Sequence, residues 1–315
     1  MNSRFILSIV PAMLKYTFFI KGLIICFIAS LFVFSGCDKF DGDQTIPAYL
    51  HIDSISLKDN VEIFEGSLSH KIVDAWVYVD DILIGAFELP ATIPILHQGK
   101  HTVKIAPGIK MNGIANTRIS YPFFDIIKIE NVMFTPDSIT KIGQNLTVSN
   151  YSTATSFPYK EDFEDGGITF QKSNGSDTTI IKTNGPGQVF EGGFSGGIFL
   201  DNTQSFFEIQ TINTITLPHS GTPVFLEMNY KTNNPLRIGL YVYYSSSTTQ
   251  QIPIIVLNPT NGKWNKVYIN LTPTLNSTTT ATSYRLWMGE YKKNGDTPLE
   301  VYIDNLKIVH PKVSK

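Results

Sequence analysis

The chain has 315 residues, with 25 Lys and Arg against 27 Asp and Glu, a formal net charge of −2. No basic field exists to attract nucleic acid, so that class of partner is excluded. Charged residues make up only 17% while Thr, Ser, Asn, Tyr, Phe and Ile are plentiful, a mixture that suits pleated sheets and turns better than helices.

Residues 1–36 read as an export signal. An apolar run from Leu23 to Phe34 ends in Phe34-Ser35-Gly36-Cys37, with Lys15 and Lys21 as the positive flank. The run is too short to span a bilayer, and small residues follow it, as at a cleavage site. An ordinary signal peptide cleaved elsewhere, or a single anchor helix, has the same outline. The stretch resembles a bacterial lipoprotein signal, in which a cysteine after small residues is lipidated and becomes the new N-terminus. Phe34 is bulkier than the usual residue at its place, and Met13 opens a better-proportioned signal than Met1. The resemblance implies a lipid on Cys37 and loss of Cys26 with the signal, which leaves no cysteine for a disulfide framework or a thiolate metal site. Several acyl chains hold firmly where one does not, so the expected address is the outer membrane, lipid-anchored at the cell surface.

Residues 37–45 form a polar, acidic tether, Asp38-Lys39-Phe40-Asp41-Gly42-Asp43-Gln44. The tether is similar to the export signals that follow the lipidated cysteine of Bacteroidota surface lipoproteins. A plain solvated linker would have the same composition. The triplets Asp53-Ser54-Ile55, Asp137-Ser138-Ile139 and Asp177-Thr178-Thr179 are similar to O-glycosylation sites of that phylum.

Residues 46–150 predict a small β-sandwich. Tyr49 to Ile55 and Ala75 to Val79 alternate apolar and polar, and Asp80-Asp81 separates two apolar stretches as a hairpin turn does. Pro90, Pro94 and Gly99 punctuate the next part before Lys100-His101-Thr102-Val103-Lys104-Ile105 resumes the alternation. Val77, Val79, Asp80 and Gly85, followed by Gly99-Lys100-His101-Thr102-Val103, resemble the hairpin and closing motif of a PEGA-type module over about residues 73–106. Such a module implies a β-sandwich and no active site. His101 is expected as a strand residue near a turn, because no partner acid or cysteine accompanies it in sequence.

Residues 151–158 are rich in Ser and Thr and are expected to be a linker. Residues 159–312 then open with Asp162-Phe163-Glu164-Asp165-Gly166 and close with Val301-Tyr302-Ile303-Asp304-Asn305-Leu306. This bracket, with Gly196 to Leu200, Leu226 to Tyr230 and Lys263 to Leu271 between, resembles the galactose-binding-like jelly-roll of carbohydrate-binding modules. The overall fold class is therefore all-β: a small β-sandwich followed by a β jelly-roll sandwich. In that family a structural calcium commonly ties the first strand to the last. The resemblance places its ligands at Glu164 and Asp304, with Asp162 and Asp165 as helpers and Asn305 where relatives carry a second acid. Solvated turn acids would leave the same pattern.

Strand parity puts Leu226 and Met228 on one face, as it does Leu236, Ile238, Leu240 and Val242, and also Leu286 and Met288; these are core candidates. The opposite faces carry Glu227, Asn229 and Lys231, then Arg237, Tyr241 and Tyr243, then Arg285 and Trp287. If the strands are neighbours they make one polar-aromatic surface, with Arg237, Tyr241, Tyr243, Arg285 and Trp287 as its ligand-binding set. Aromatic faces stack on sugar rings, and Arg, Asn and Glu bond their hydroxyls, so the chemistry fits a glycan. It also fits a protein contact.

Gly193-Phe194-Ser195-Gly196-Gly197 satisfies the pattern of a hydrolase nucleophile elbow, with His219 and His310 downstream. An elbow needs a strand before the serine and a helix after it, and Ile198-Phe199-Leu200 reads as a strand instead. No HExxH, P-loop or dinucleotide fingerprint is present, while a carboxylate pair for glycoside cleavage needs only two acids that meet in space, which sequence leaves open. The expected function is a non-catalytic surface lipoprotein that binds glycan. The alternative is a scaffold docked on an outer-membrane protein in an assembly, secretion or transport complex.

Overall fold

The computed structural model describes residues 46–293 and 298–312; the signal, Cys37 and the tether lie outside them. Within the described residues the chain is all-β. Twenty-one strands are accompanied by a 3-10 turn, Gln144–Leu146, and one short helix, α1 (Thr272–Ser277).

The first sandwich is built from alternation. In β1 (Ala48–Ile52), Ala48, Leu50 and Ile52 are buried while Tyr49 and His51 are half-buried. β1 pairs antiparallel with β5 (Ala91–Ile95) and parallel with β9 (Ile139–Lys141). The second sheet runs β4 (Ile82–Glu88), β3 (Asp74–Val79), β6 (Gly99–Lys110), with β7 (Arg118–Ser120) and β8 (Ile127–Phe134) both on β6. Both sheets share one core that includes Leu50, Ile52, Val77, Val79, Ile93, Val103, Ile105 and Phe134. A short parallel pair, β2 (Ser56–Leu57) and β10 (Val148–Ser149), stands apart from these sheets.

The expected hairpin is present. Asp80 and Asp81 turn it with φ of 48° and 68°, the left-handed pair that a two-residue hairpin turn demands and that Asp tolerates. Asp80 also accepts the Thr102 N–H at 3.0 Å and meets His101 Nδ1 at 2.5 Å, while His101 Nε2 lies 2.9 Å from the Gln98 carbonyl. His101 is thus a strand residue of β6, but it does have a partner acid, supplied by the turn. Its hydrogen bond to the Asp80 carboxylate raises the His101 pKa above its ordinary value.

The second sandwich contains two larger sheets. One runs β13 (Ile181–Thr183), β14 (Ser195–Leu200), β21 (Leu299–Pro311), β16 (Phe225–Thr232), β19 (Asn265–Asn270), with β11 (Thr155–Glu161) also on β21. The other runs β12 (Phe170–Lys172), β15 (Phe206–Thr211), β20 (Ala281–Tyr291), β17 (Leu236–Tyr244), β18 (Thr249–Leu257). The predicted core residues Leu226, Met228, Leu236, Ile238, Leu240, Val242, Leu286 and Met288 all lie buried between the sheets.

Residues 151–158 are not a linker. Tyr151 is fully buried, and Thr155–Phe157 already belong to β11, paired with β21. The reason is a third core, in which Ile109, Tyr121, Phe123, Phe124 and Tyr151 pack on Phe225, Tyr268 and Val309. Ser and Thr serve as strand residues here, as β propensity allows. Met111 bridges to Tyr268, and the Asn112 N–H donates to the Tyr268 carbonyl at 2.7 Å. The outer face of the β16–β21 sheet is therefore roofed by the first sandwich.

Candidate functional site

The other large sheet keeps its outer face towards solvent. β17 and β20 are antiparallel neighbours, with Tyr241 opposite Arg285, Tyr243 opposite Ser283 and Gly239 opposite Trp287. Period-two alternation puts Arg237, Tyr241 and Tyr243 on the same side as Arg285 and Trp287, so these five predicted residues do share one face.

Glu227, Asn229 and Lys231 do not join them. They lie on β16, in the opposite sheet, where Glu227 and Asn229 are wholly buried. Parity tells which side of its own sheet a residue takes; it does not tell which sheet the strand enters.

The role expected of Trp287 also changes. Its side chain is only 4% exposed, too little for a ring to stack on. The indole packs against Gly239, where an added Cβ would stand 2.6 Å from its ring carbons. Trp287 is a floor of the face, and Gly239 is the space that admits it.

Glu208, on β15, was not anticipated. Its carboxylate is nearly buried and accepts the Tyr241 hydroxyl at 2.6 Å and Gln251 Nε2 at 2.7 Å. It faces Gly289 across the β15–β20 pair, whose missing side chain leaves it room. Burial and then this hydrogen bond push the Tyr241 pKa up, so the phenol stays a donor. The alternation Phe207-Glu208-Ile209-Gln210 carried the signal, since Phe207 and Ile209 point inward and Glu208 and Gln210 therefore outward.

Beside this group opens a cleft of about 510 Å³. Its walls include Tyr241, Tyr243, Arg285, Gln210, Gln171, Lys172 and Thr249. The Arg285 guanidinium lies 5.6 Å from the centre of the Tyr243 ring, and its Nη1 donates weakly to Gln210 Oε1 at 3.5 Å. No ion pair holds Arg285 among the described residues, whereas Arg237 pairs with Glu290 at 3.3 Å. The cleft thus offers an oriented phenol, a second aromatic ring, a guanidinium and amide side chains, a set that hydrogen-bonds hydroxyls and packs against flat apolar faces.

The two expected calcium ligands are used otherwise. Glu164 Oε1 accepts the N–H groups of Gly193 and Phe194 at 2.9 and 3.0 Å. Asp304 Oδ2 accepts those of Phe190 and Glu191, both at 3.2 Å, and Oδ1 that of Asn305 at 2.8 Å. Both carboxylates brace the loop before β14. Donor hydrogens aimed at these oxygens repel a cation, and among the described residues no group of three or more His, Cys, Asp or Glu could hold a metal. Burial instead raises the Asp304 pKa to about 7 against the pull of its backbone donors.

The elbow pattern forms no elbow. Ser195 opens β14, is wholly buried, and donates to the Gln188 carbonyl at 2.5 Å. His219 and His310 are engaged with the carbonyls of Leu275 and Pro311.

No family model matches this chain, and neither does any curated protein. Solved structures do resemble about half of it. The CBM22-1 xylan-binding domain of Paenibacillus barcinonensis Xyn10C is 16% identical, with a TM-score of 0.39, over 51% of this chain and 98% of that domain. The C-terminal family 22 carbohydrate-binding module of Clostridium thermocellum Xyn10B is 14% identical, with a TM-score of 0.36, over 50% and 96%. TmCBM61, solved with β-1,4-galactotriose, is 12% identical, with a TM-score of 0.29, over 44% and 85%. At such identities and scores, what a neighbour binds says nothing of the ligand here.

Calcium is expected to leave the thermal unfolding of the EDTA-treated protein unmoved. A rise with added calcium that is lost in Asp304→Ala would restore the metal.

Proposed function

We propose that this protein is a non-catalytic, lipid-anchored protein of the outer-membrane surface, and that the open face around Tyr241, Tyr243 and Arg285 binds glycan. The observation that carries the reading is the division of faces. One jelly-roll sheet is roofed by the first sandwich, and the other presents a cleft of glycan-compatible side chains. Glu208 fixes the Tyr241 hydroxyl through a 2.6 Å hydrogen bond, so this part of the site is set before a ligand arrives, which lowers the entropy cost of binding. Arg285, without a carboxylate partner among the described residues, has donors left for sugar oxygens. The anchor at Cys37 would confine such a face to the plane where extracellular polysaccharide is met. No described helix is long and apolar enough to cross a membrane.

Binding is tested on a panel of polysaccharides by calorimetry. Tyr243→Ala and Arg285→Ala should each weaken it about tenfold, the effect of ~1.4 kcal/mol. Trp287→Ala should act on stability instead, by about 3–5 kcal/mol, as removal of a buried aromatic does. If no glycan binds and a stoichiometric outer-membrane protein copurifies from mild detergent, the face is a protein-docking surface and the scaffold reading replaces this one.

For the anchor, Cys37→Ala should release the protein from membranes or stall its processing. Unchanged fractionation with membranes would contradict lipidation.

A further inference from the structure

The roofed face of the β16–β21 sheet holds two rows of polar side chains. Lys266 on β19 is the register partner of Asn229 on β16, which is in turn the partner of Asp304 on β21. In the neighbouring row stand Tyr268, Glu227 and Lys307. A bulge at Asn305, with φ of 51°, brings Asp304 and Lys307 to the same side of β21. Directly paired residues share a face, with Cβ atoms about 4.5–5.5 Å apart. All six are buried.

Three of these groups are satisfied by the segment that crosses above them. Ser69 Oγ donates to Asn229 Oδ1 at 2.8 Å, the Lys71 N–H donates to the Tyr268 hydroxyl at 2.9 Å, and Lys307 Nζ donates to the carbonyls of Glu65 and Ser67. Lys266 is the exception. Its Nζ is buried and makes no hydrogen bond. The nearest charge is Glu227 Oε2 at 3.4 Å, beyond the roughly 2.7–2.9 Å of a settled charge-assisted bond. Glu227 is already held by the hydroxyls of Tyr121 and Tyr151. A buried ammonium whose protein partner is a single carboxylate oxygen at 3.4 Å is a rare arrangement that calls for an explanation.

A reactive pair explains it. Burial pushes the Lys266 pKa down, against the opposing pull of Glu227, and a neutral amine is a nucleophile. The electrophile is its cross-strand partner, the Asn229 amide, whose oxygen already receives the Ser69 hydroxyl where negative charge would grow during attack. The two strands supply the proximity.

We propose that Lys266 and Asn229 become joined by an intramolecular isopeptide bond between β16 and β19. Glu227 takes one proton from the Lys266 ammonium. The Nζ lone pair attacks Asn229 Cγ, and the Nζ–Cγ bond forms as Oδ1 gains charge against Ser69. The Cγ–Nδ2 bond then breaks, and Nδ2 leaves as ammonia with a second proton from Nζ. Glu227 returns its proton to the departing ammonia, so that ammonium is released. Nothing is oxidised or reduced. The cross-link closes the loop that contains β17 and β18 and covalently fixes the sheet on which the first sandwich rests. It does not depend on the glycan reading.

The test is peptide mapping of the purified full chain by mass spectrometry after denaturation and trypsin digestion. The expected result is a branched peptide that unites the segment containing Asn229 with that containing Lys266, lighter than their sum by one ammonia, with no tryptic cleavage after Lys266. In Lys266→Arg the branched peptide should be absent. If the parent protein yields two linear peptides, cleaved normally after Lys266 and with Asn229 intact, the proposal is overturned. The parent digest decides this even if the variant does not fold.

Discussion

A carboxylate with no access to water organises this molecule. Glu227 is wholly buried on β16, and its oxygens receive the hydroxyls of Tyr121 and Tyr151 at 2.8–2.9 Å. Both tyrosines come from the end of the first sandwich, while Glu227 comes from the middle of the jelly-roll. A buried charge must be partnered, and hydrogen bonds to charged groups contribute about 1.5–3 kcal/mol each. The jelly-roll sheet that carries Glu227 is therefore complete only when the first sandwich lies on it. Burial, and then the charge of Glu227, hold both phenols well above their ordinary pKa, so they remain donors at any physiological pH.

Aromatic packing finishes the seam. Tyr121 meets Phe124, Tyr268, Phe123 and Phe225 edge-on, with ring centres 4.8–5.4 Å apart. Such pairs add about 0.5–1.5 kcal/mol beyond the area they bury. Polar and apolar contacts thus act at the same place, and the consequence is functional. With one sheet face committed to the seam, the face of β17 and β20 is the broad jelly-roll surface that can meet a ligand. Gly239 and Gly289 shape it, the first by admitting Trp287 and the second by admitting Glu208.

Much of this was legible in the sequence, wherever local chemistry decides. The Asp80-Asp81 turn follows from the tolerance of Asp for left-handed backbone. The inward set of β16, β17 and β20 follows from alternation, and so does the grouping of Tyr241, Tyr243 and Arg285. What failed was long-range placement. Glu227 and Asn229 have the same parity signature as Tyr241, yet they sit in the other sheet, because nothing local records which strands become neighbours. Residues 151–158 look like a linker by composition, but Tyr151 is the residue that completes the Glu227 site. Trp287 suggested a stacking platform, and only the absent side chain of Gly239 across the ladder reveals that it is buried there. Glu164 and Asp304 were expected as metal ligands, and here Glu164 Oε1 and both Asp304 oxygens accept backbone N–H groups.

The central claim is that the two sandwiches form one cooperative body through the Glu227 seam. Differential scanning calorimetry of the full chain tests it most directly. One transition, with equal calorimetric and van't Hoff enthalpies, is the predicted result. Two resolved transitions, one for each sandwich, would contradict it.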